Sequence, residues 1–314
     1  MQSFSIKNCT FNSAFDCIKN ALPEIESNFN LVKFNSSVNL RESRFRGDVY
    51  FTACEFKESP VMWGTKFMKS VDFSFSKFES NLVLGSAYVE ETLTLKGVRF
   101  TKGLNISTTK FEKLKIFDLK IDDFKINKDL DKDGELEPPK LYANTINPRA
   151  KRETFRILKK TALSEADRIG ALTYSALERK AYLDELRTIK PQKFKSKLSK
   201  WGNIFILGVG YISNLNGRSW FTGIIFTLII GLLFFYLSLI NTDTFCFSFE
   251  KMSWEGFNKS VGYYIEFMNP THKSALLVAE GSNNWVVLWD FVGKIFVALG
   301  IYQTIVAFRK YSKL

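Results

Sequence analysis

The sequence predicts a β-solenoid, followed by a helical cap and a membrane domain in which a short helix lies between two long ones. Three observations indicate this fold class. Phenylalanine recurs every eleven residues from Phe34 to Phe111, with one replacement by valine. Apolar residues stand at helical spacing across residues 151–190. Two stretches near the C-terminus, 219–240 and 285–308, are apolar and long enough to cross a bilayer.

The solenoid prediction rests on two interleaved apolar series whose combined spacing alternates between six and five residues. A small or aliphatic residue stands two positions before most centres, such as Val49 before Phe51 and Cys54 before Phe56. Residues i and i−2 point to the same side of an extended strand. A chain that turns after every such pair forms coils that stack through backbone hydrogen bonds. The centres are Phe34, Leu40, Phe45, Phe51, Phe56, Met62, Phe67, Phe73, Phe78, Leu84, Val89, Leu95, Phe100, Ile106, Phe111 and Phe117.

This pattern, seen in FRGDVYFTACEFKESPVMWGTKFMKSVDFSFSKF from Phe45 onward, resembles the pentapeptide-repeat family in its variant with six–five alternation. The resemblance implies a right-handed quadrilateral β-helix over residues 1–121, with about 4.8 Å between stacked strands. The phenylalanines are then core residues. Because solenoid surfaces commonly dock other proteins, a cytoplasmic protein partner is expected on this domain.

The sign of the charge argues against imitation of DNA by the solenoid. Imitation of DNA needs an acidic surface, whereas residues 1–117 contain 16 Lys and Arg against 12 Asp and Glu. Most of the net charge of +12 lies in residues 118–218, next to the first apolar stretch. Nucleic-acid binding could use the same positive charge, but its position in the chain favours lipid, so no nucleic-acid partner is expected. Attraction to anionic lipids is the simpler explanation for basic residues at that place.

Residues 122–200 are predicted to form a polar loop and a helical cap over the open end of the solenoid. The loop contains Asp129-x-Asp131-x-Asp133-Gly134, the front half of a calcium loop. Lys140 stands where that loop requires a glutamate, so a solvated turn is favoured and neither a metal site nor a cofactor is predicted. Ser164, followed by Asp167, is the expected N-cap of the second cap helix. The expected inward faces are Phe155, Leu158 and Ala162, and Ile169, Leu172, Ala176 and Leu177.

The membrane domain is predicted over residues 219–314, with an interfacial helix at 201–218 in front of it. Six basic residues and no acid stand between Arg187 and Lys200, whereas the loop 241–284 holds five acids and three lysines. Lys and Arg accumulate on the cytoplasmic side of a membrane. The start of the chain lacks an apolar signal segment, so we expect a multi-pass protein with both termini in the cytoplasm.

The loop between the spans predicts a short helix over residues 253–268, ended by Pro270. This arrangement is that of pore-loop channels, in which a half-crossing helix and the turn after it line the path. The potassium filter sequence TVGYG is absent, so no ion preference is predicted. The candidate pore-lining residues are Asn269, Thr271, His272, Asp290, Lys294 and Gln303.

Several of these residues have a second interpretation. Asp290 and Lys294, one helical turn apart, form either a structural ion pair or part of a water-filled path. Gln303 faces either a pore or the lipid headgroups. For His272 an exposed loop position without a task is favoured over a pH sensor. Close helix packing is the expected role of Gly223, Gly231, Gly293 and Gly300.

The whole layout resembles bacterial pentapeptide-repeat membrane proteins of the ion-channel-like type, through FRILKKTALSEADRIGALTYSALERKAY before the spans and GIYQTIVAFRKY after them. The resemblance implies a channel-like protein of the bacterial inner membrane, with phage-defence effectors as an analogy. No catalytic motif is present, so an enzyme is not expected. Two spans cannot enclose a water path unaided, so the first hypothesis is a homo-oligomeric pore, tetrameric as a first estimate. The alternative is a membrane-anchored scaffold whose solenoid binds a protein.

Overall fold

The computed structural model describes residues 3–18, 20, 22, 24–122, 146–188, 194–216, 219–241, 254–272 and 284–312. The chain divides into two compact units, Met1–Lys190 and Pro191–Leu314. The segment 129–140, which resembles part of a calcium loop and is predicted to be a solvated turn, lies outside the described residues.

The first unit begins with a parallel β-solenoid of about five coils over residues 4–121, which confirms the predicted fold class. Strands, numbered in chain order, stack on four faces. The first face holds β1 (Ser3–Lys7), β4 (Glu26–Asn30), β8 (Val49–Thr52), β11 (Val71–Asp72), β14 (Tyr88–Lys96) and β17 (Lys110–Phe117); the second holds β2 (Thr10–Phe11), β5 (Lys33–Phe34), β9 (Glu55–Phe56), β12 (Lys77–Phe78), β15 (Arg99–Phe100) and β18 (Lys120–Ile121). The third holds β3 (Phe15–Asp16), β6 (Val38–Asn39), β13 (Leu82–Val83) and β16 (Leu104–Asn105), and the fourth holds β7 (Arg44–Phe45), β10 (Lys66–Phe67) and the first residues of β14 and β17.

Stacked phenylalanine rings fill the interior of the coils. Phe56 is 1% exposed, and its ring centroid lies 4.9 Å from that of Phe34 and 4.6 Å from that of Phe78. A parallel column joins Phe51 to Phe73 at 5.3 Å. These spacings match the distance between stacked strands. The repeat of 22 residues therefore places like side chains above one another, as the pattern predicts.

The small residues before the centres are buried and tie neighbouring coils together. The Thr65 hydroxyl donates to the Leu40 carbonyl at 2.7 Å, and the Ser76 hydroxyl donates to the Phe51 carbonyl at 2.5 Å. Each bond satisfies a buried hydroxyl inside an otherwise apolar core. This explains why threonine and serine are tolerated at inward positions.

The corner between the first and the second face has a residue in the left-handed backbone region in every coil, which the sequence pattern did not predict. A residue with a Cβ pays about 1–2 kcal/mol in this region. Only one of the six corner positions has glycine. The φ values are 52° at Asn8, 55° at Leu31, 53° at Ala53, 61° at Phe75, 64° at Gly97 and 47° at Asp118.

The prediction is wrong at Phe117, which is 70% exposed. The pairing of β14 with β17 shifts register after Val89, because the last coil is one residue shorter there. Leu95 then pairs with Ile116, which points inward and is 8% exposed. A shift of one residue turns the following side chains to the opposite face of a strand.

In the described part of the first unit, two helices follow the solenoid, α1 (Pro148–Ser164) and α2 (Arg168–Thr188). On α1, Phe155, Leu158 and Ala162 are buried in the same core as the solenoid side chains. The Thr154 hydroxyl oxygen accepts a hydrogen bond from the backbone N–H of Ile106 at 3.2 Å. This bond satisfies an otherwise open donor of the third face.

Two expectations for α2 are wrong. Ile169 is 65% exposed, and Ala171 is buried in its place. Ser164 ends α1, and its hydroxyl donates to the Thr161 carbonyl at 2.8 Å. Asp167 is the cap of α2, because its carboxylate accepts from the backbone N–H of Gly170 at 2.8 Å.

The second unit is helical in its described part. Its helices are α3 (Phe194–Asn214), α4 (Trp220–Ile240), α5 (Trp254–Phe267) and α6 (Asn284–Ser312). α3 begins seven residues before the predicted interfacial helix at 201–218 and ends four residues before its predicted end. The bounds of α4 and α5 lie within one residue of the predicted helical stretches 219–240 and 253–268. α6 begins within one residue of the predicted stretch 285–308 and continues to Ser312.

Candidate functional site

α4 and α6 cross through paired glycine and threonine residues. A Cβ at Gly223 would lie 2.6 Å from the Thr304 hydroxyl, and a Cβ at Gly300 would collide with Thr227. Each threonine also donates to the glycine one turn earlier on its own helix, Thr227 to the Gly223 carbonyl at 2.7 Å and Thr304 to the Gly300 carbonyl at 2.9 Å. Small residues at these positions let the two backbones approach closely.

The other two glycines lie where α5 packs into the pair. A Cβ at Gly231 of α4 would collide with the sulfur of Met268, and a Cβ at Gly293 of α6 would lie 2.6 Å from the Phe267 ring. Gly231 is nine residues from the end of α4 at Ile240, and Gly293 is nine residues from the start of α6. At a rise of 1.5 Å per residue, both contacts are about 14 Å along the helices from the connecting loop. The end of α5 therefore reaches about the middle of α4.

A hydrogen bond from α5 to the α4 backbone holds this position. The Tyr264 hydroxyl donates to the Leu228 carbonyl at 2.7 Å. A phenol is protonated at neutral pH, so the Tyr264 hydroxyl is available as a donor.

A polar turn follows α5. The Asn269 side-chain oxygen accepts from the Thr271 backbone N–H at 3.0 Å and from the Thr271 hydroxyl at 2.8 Å. The backbone N–H of His272 donates to the Asn269 carbonyl at 3.0 Å. Asn269 and Thr271 are nevertheless exposed at the surface of the chain. The turn is thus fixed by its own side chains and still presents polar groups outward.

His272 connects this turn to α6 through Asp290. The imidazole Nε2 lies 2.7 Å from Asp290 Oδ1, and Lys294 Nζ lies 2.8 Å from Asp290 Oδ2. The side chains of His272, Asp290 and Lys294 are 6%, 2% and 22% exposed. The side chain of His272 is therefore buried, and the expectation that it is exposed is wrong. A buried carboxylate needs partners of this kind, because desolvation of an isolated charge is costly.

Five of the six candidate pore residues thus lie together, and Gln303 lies apart. It is 13 residues beyond Asp290 on α6, about 20 Å away along the helix axis. Its side-chain oxygen accepts from the Asn214 amide of α3 at 2.7 Å. Asn214 is buried and was not predicted as a site residue, although an asparagine at the end of an apolar stretch is a visible signal.

Comparison with known proteins gives one family match. Residues 29–77 match the family model of pentapeptide repeats, with nine copies. This segment consists of pentapeptide repeats. No curated protein and no solved structure matches the chain.

Two further findings concern the chemistry of the described residues. α4 and α6 are long and apolar enough to cross a membrane by length and composition. Within the described ranges, no three His, Cys, Asp or Glu side chains are grouped in a way that could hold a metal ion.

Proposed function

We propose that this chain is an integral membrane protein that conducts ions as an oligomer, with the pentapeptide-repeat solenoid as a cytoplasmic assembly or sensing domain. The membrane assignment rests on α4 and α6. Their most apolar 18-residue stretches contain few charges, yet only 33% and 22% of these stretches are buried within the chain. A helix that is apolar all round needs burial in a large core or in lipid. Lipid, or a second copy of the chain, is the natural cover for these faces.

The exposed polar turn after α5 is the observation that carries the pore proposal. In a bilayer with a hydrocarbon core of about 30 Å, a turn between the levels of Asp290 and Gly231 would lie about 9–14 Å below the loop end of the spans. Irregular backbone at such depth is tolerated where it is packed in protein or lines a water-filled cavity. Because Asn269 and Thr271 are exposed, they require water in front of them.

An oligomer supplies the enclosure that one chain lacks. Two spans and a half-crossing helix cannot surround a water path, so several copies place their turns around a common axis, four as the first estimate. The ionic cluster of Asp290, Lys294 and His272 then lies directly behind the path lining. Its charges shape the potential felt by a passing ion.

The flanking segments support the orientation and the location. Basic residues before α4 and in the last turns of α6 favour cytoplasmic termini. On α3, Lys195 and Lys197 are exposed next to exposed Phe194, Leu198 and Trp201, the composition of a helix lying on an anionic membrane surface. The resemblance of the layout favours a location in the bacterial inner membrane, and phage defence is an analogy for the role of the protein. No catalytic step and no cofactor are assigned to the protein.

Ion flux through liposomes that contain the full chain tests this function. Thr271→Val and Asn269→Leu remove polar groups from the turn and are expected to reduce flux at least several-fold. Thr173→Val, at an exposed threonine of α2, is the matched control and should leave flux unchanged. Absence of flux from folded and oriented protein would reject the pore.

The second candidate is a membrane-anchored scaffold, favoured by the surface of the solenoid. Leu31 and Phe75 occupy the same corner of the coils, two coils apart, and are 54% and 60% exposed. Apolar side chains aligned on one corner are typical of a protein-docking face. Two results together would support the scaffold. The chain would show no ion flux, and Leu31→Ser and Phe75→Ser would abolish the binding of a defined protein to the solenoid.

A further inference from the structure

The surroundings of His272 require more hydrogens than a neutral imidazole has. Its Nδ1 lies 2.7 Å from the main-chain oxygen of Asn269, and its Nε2 lies 2.7 Å from Asp290 Oδ1. A carbonyl oxygen only accepts, so Nδ1 carries a hydrogen. A neutral ring would then present a lone pair at Nε2 to the carboxylate. The contact at 2.7 Å is a hydrogen bond only if a second proton lies between Nε2 and Oδ1.

We propose that His272 and Asp290 share one proton, and that this proton holds the turn after α5 against α6. When the proton leaves to solvent, two lone pairs face each other at hydrogen-bond distance and the contact opens. The pair His272 and Asp290 is called the proton latch below. Its role in regulating conduction rests on the proposed pore, whereas the proton-dependent contact does not.

The neighbouring charges favour a proton that resides on the ring. Lys294 pairs with the second carboxylate oxygen and so stabilises the ionised form of Asp290. α4 contributes no charged side chain between Trp220 and Ile240. On α5, the described ionisable side chains near the turn are those of Tyr263, Tyr264 and the exposed Glu266. The Phe267 ring, 5.4 Å from the imidazole between centroids, covers one side of the latch.

The direction of the pH effect follows from counting protons. The held turn contains the shared proton, because the contact between Nε2 and Oδ1 is a hydrogen bond only with it. The released turn does not require this proton, so removing protons from the solvent favours the released turn. The latch is therefore closed at acidic pH and opens as the pH rises.

The protonation state can be read directly because the chain contains one histidine. The full chain, labelled with ¹⁵N-histidine and placed in lipid nanodiscs, gives the nitrogen signals of one imidazole. At pH 7.5 we expect both nitrogens of the wild-type ring to be protonated. In Asp290→Asn the ring should be mostly neutral at this pH, while Glu266→Gln should behave as the wild type. A neutral wild-type ring at pH 7.5 would overturn the latch, even if the Asp290→Asn variant fails to fold.

The regulatory part is tested by flux between pH 6 and pH 8.5. Wild-type flux should change across this range, and His272→Gln should show a flat profile because its amide does not titrate. An equal pH profile in wild type and His272→Gln would overturn the regulatory role. Absence of flux at every pH would instead reject the pore, and the nitrogen signals would still decide whether the proton is shared.

Discussion

Phe56 in the middle coil should contribute far more to stability than Phe117, although both are centres of the same sequence repeat. Phe56 is 1% exposed and stacks between Phe34 and Phe78 at 4.9 and 4.6 Å. Truncation of a buried phenylalanine to alanine costs about 3–5 kcal/mol, through lost burial and the cavity that remains. Phe117 is 70% exposed, so Phe117→Ala should cost less than about 0.5 kcal/mol.

Hydrogen exchange of the full chain resolves this difference coil by coil. The backbone N–H of Lys57 donates to the Phe34 carbonyl at 3.0 Å, and that of Glu79 donates to the Phe56 carbonyl at 2.8 Å. A loss of about 4 kcal/mol in Phe56→Ala corresponds to roughly 1,000-fold faster exchange of such amides, if the coils open together. In Phe117→Ala they should exchange within about threefold of the wild-type rate. Equal acceleration by both substitutions would refute the assignment of inward and outward faces.

Three further predictions concern corners, helix packing and a thiol. Ala53→Gly should raise the melting temperature, because Ala53 has a φ of 53°. Gly97→Ala should lower it, because a Cβ there would lie 2.8 Å from the Phe75 ring. Each substitution should change the free energy of unfolding by about 1 kcal/mol in a thermal melt. Gly300→Ala should destabilise the α4–α6 pair in detergent by about 1–3 kcal/mol. Gly208 has open space around it, so Gly208→Ala should be neutral or stabilising. Equal effects of the two substitutions would contradict the packing of α4 against α6. Burial raises the pKa of the Cys54 thiol to about 11, so an alkylating reagent at pH 8 should modify the exposed Cys9 and spare Cys54 until the solenoid unfolds. The Cys54 thiol has a pKa near 9.0 in the unfolded chain and about 11 in the folded chain, so the solenoid should become less stable as the pH rises between these values. A series of denaturation curves across this pH range, with Cys54→Ala as the control, measures the effect.

The solenoid was predictable because the same short-range pattern of inward and outward side chains repeats in every coil. An inward pair at i and i−2 recurs with each face, so the interval pattern alone sets the position of Phe56 and its neighbours. The same pattern failed at Phe117, since a shortening by one residue changes the inward side without changing the residue types. The left-handed corner at Ala53 and Phe75 was missed because neither residue signals that backbone conformation.

The site was predictable only in part. The pairing of Asp290 with Lys294 follows from their separation of one helical turn. The contact between His272 and Asp290 joins residues 18 apart and depends on how deeply α5 inserts between α4 and α6. That depth is set by Gly231 and Gly293, whose missing side chains make room for Met268 and Phe267. The sequence indicates that these glycines are packing positions. It does not indicate which side chains pack against them.

The central claim, that water reaches the turn after α5 inside the membrane, is tested most directly by thiol accessibility. Thr271→Cys and Ile229→Cys are compared in the full chain with its four native cysteines replaced, in sealed vesicles, using a charged, membrane-impermeant thiol reagent. Ile229 is exposed on the apolar outside of α4, eleven residues from its loop end. The account predicts rapid modification at position 271 and none at position 229, with modification at 271 also blocking flux. Protection of position 271 in folded protein would contradict the account.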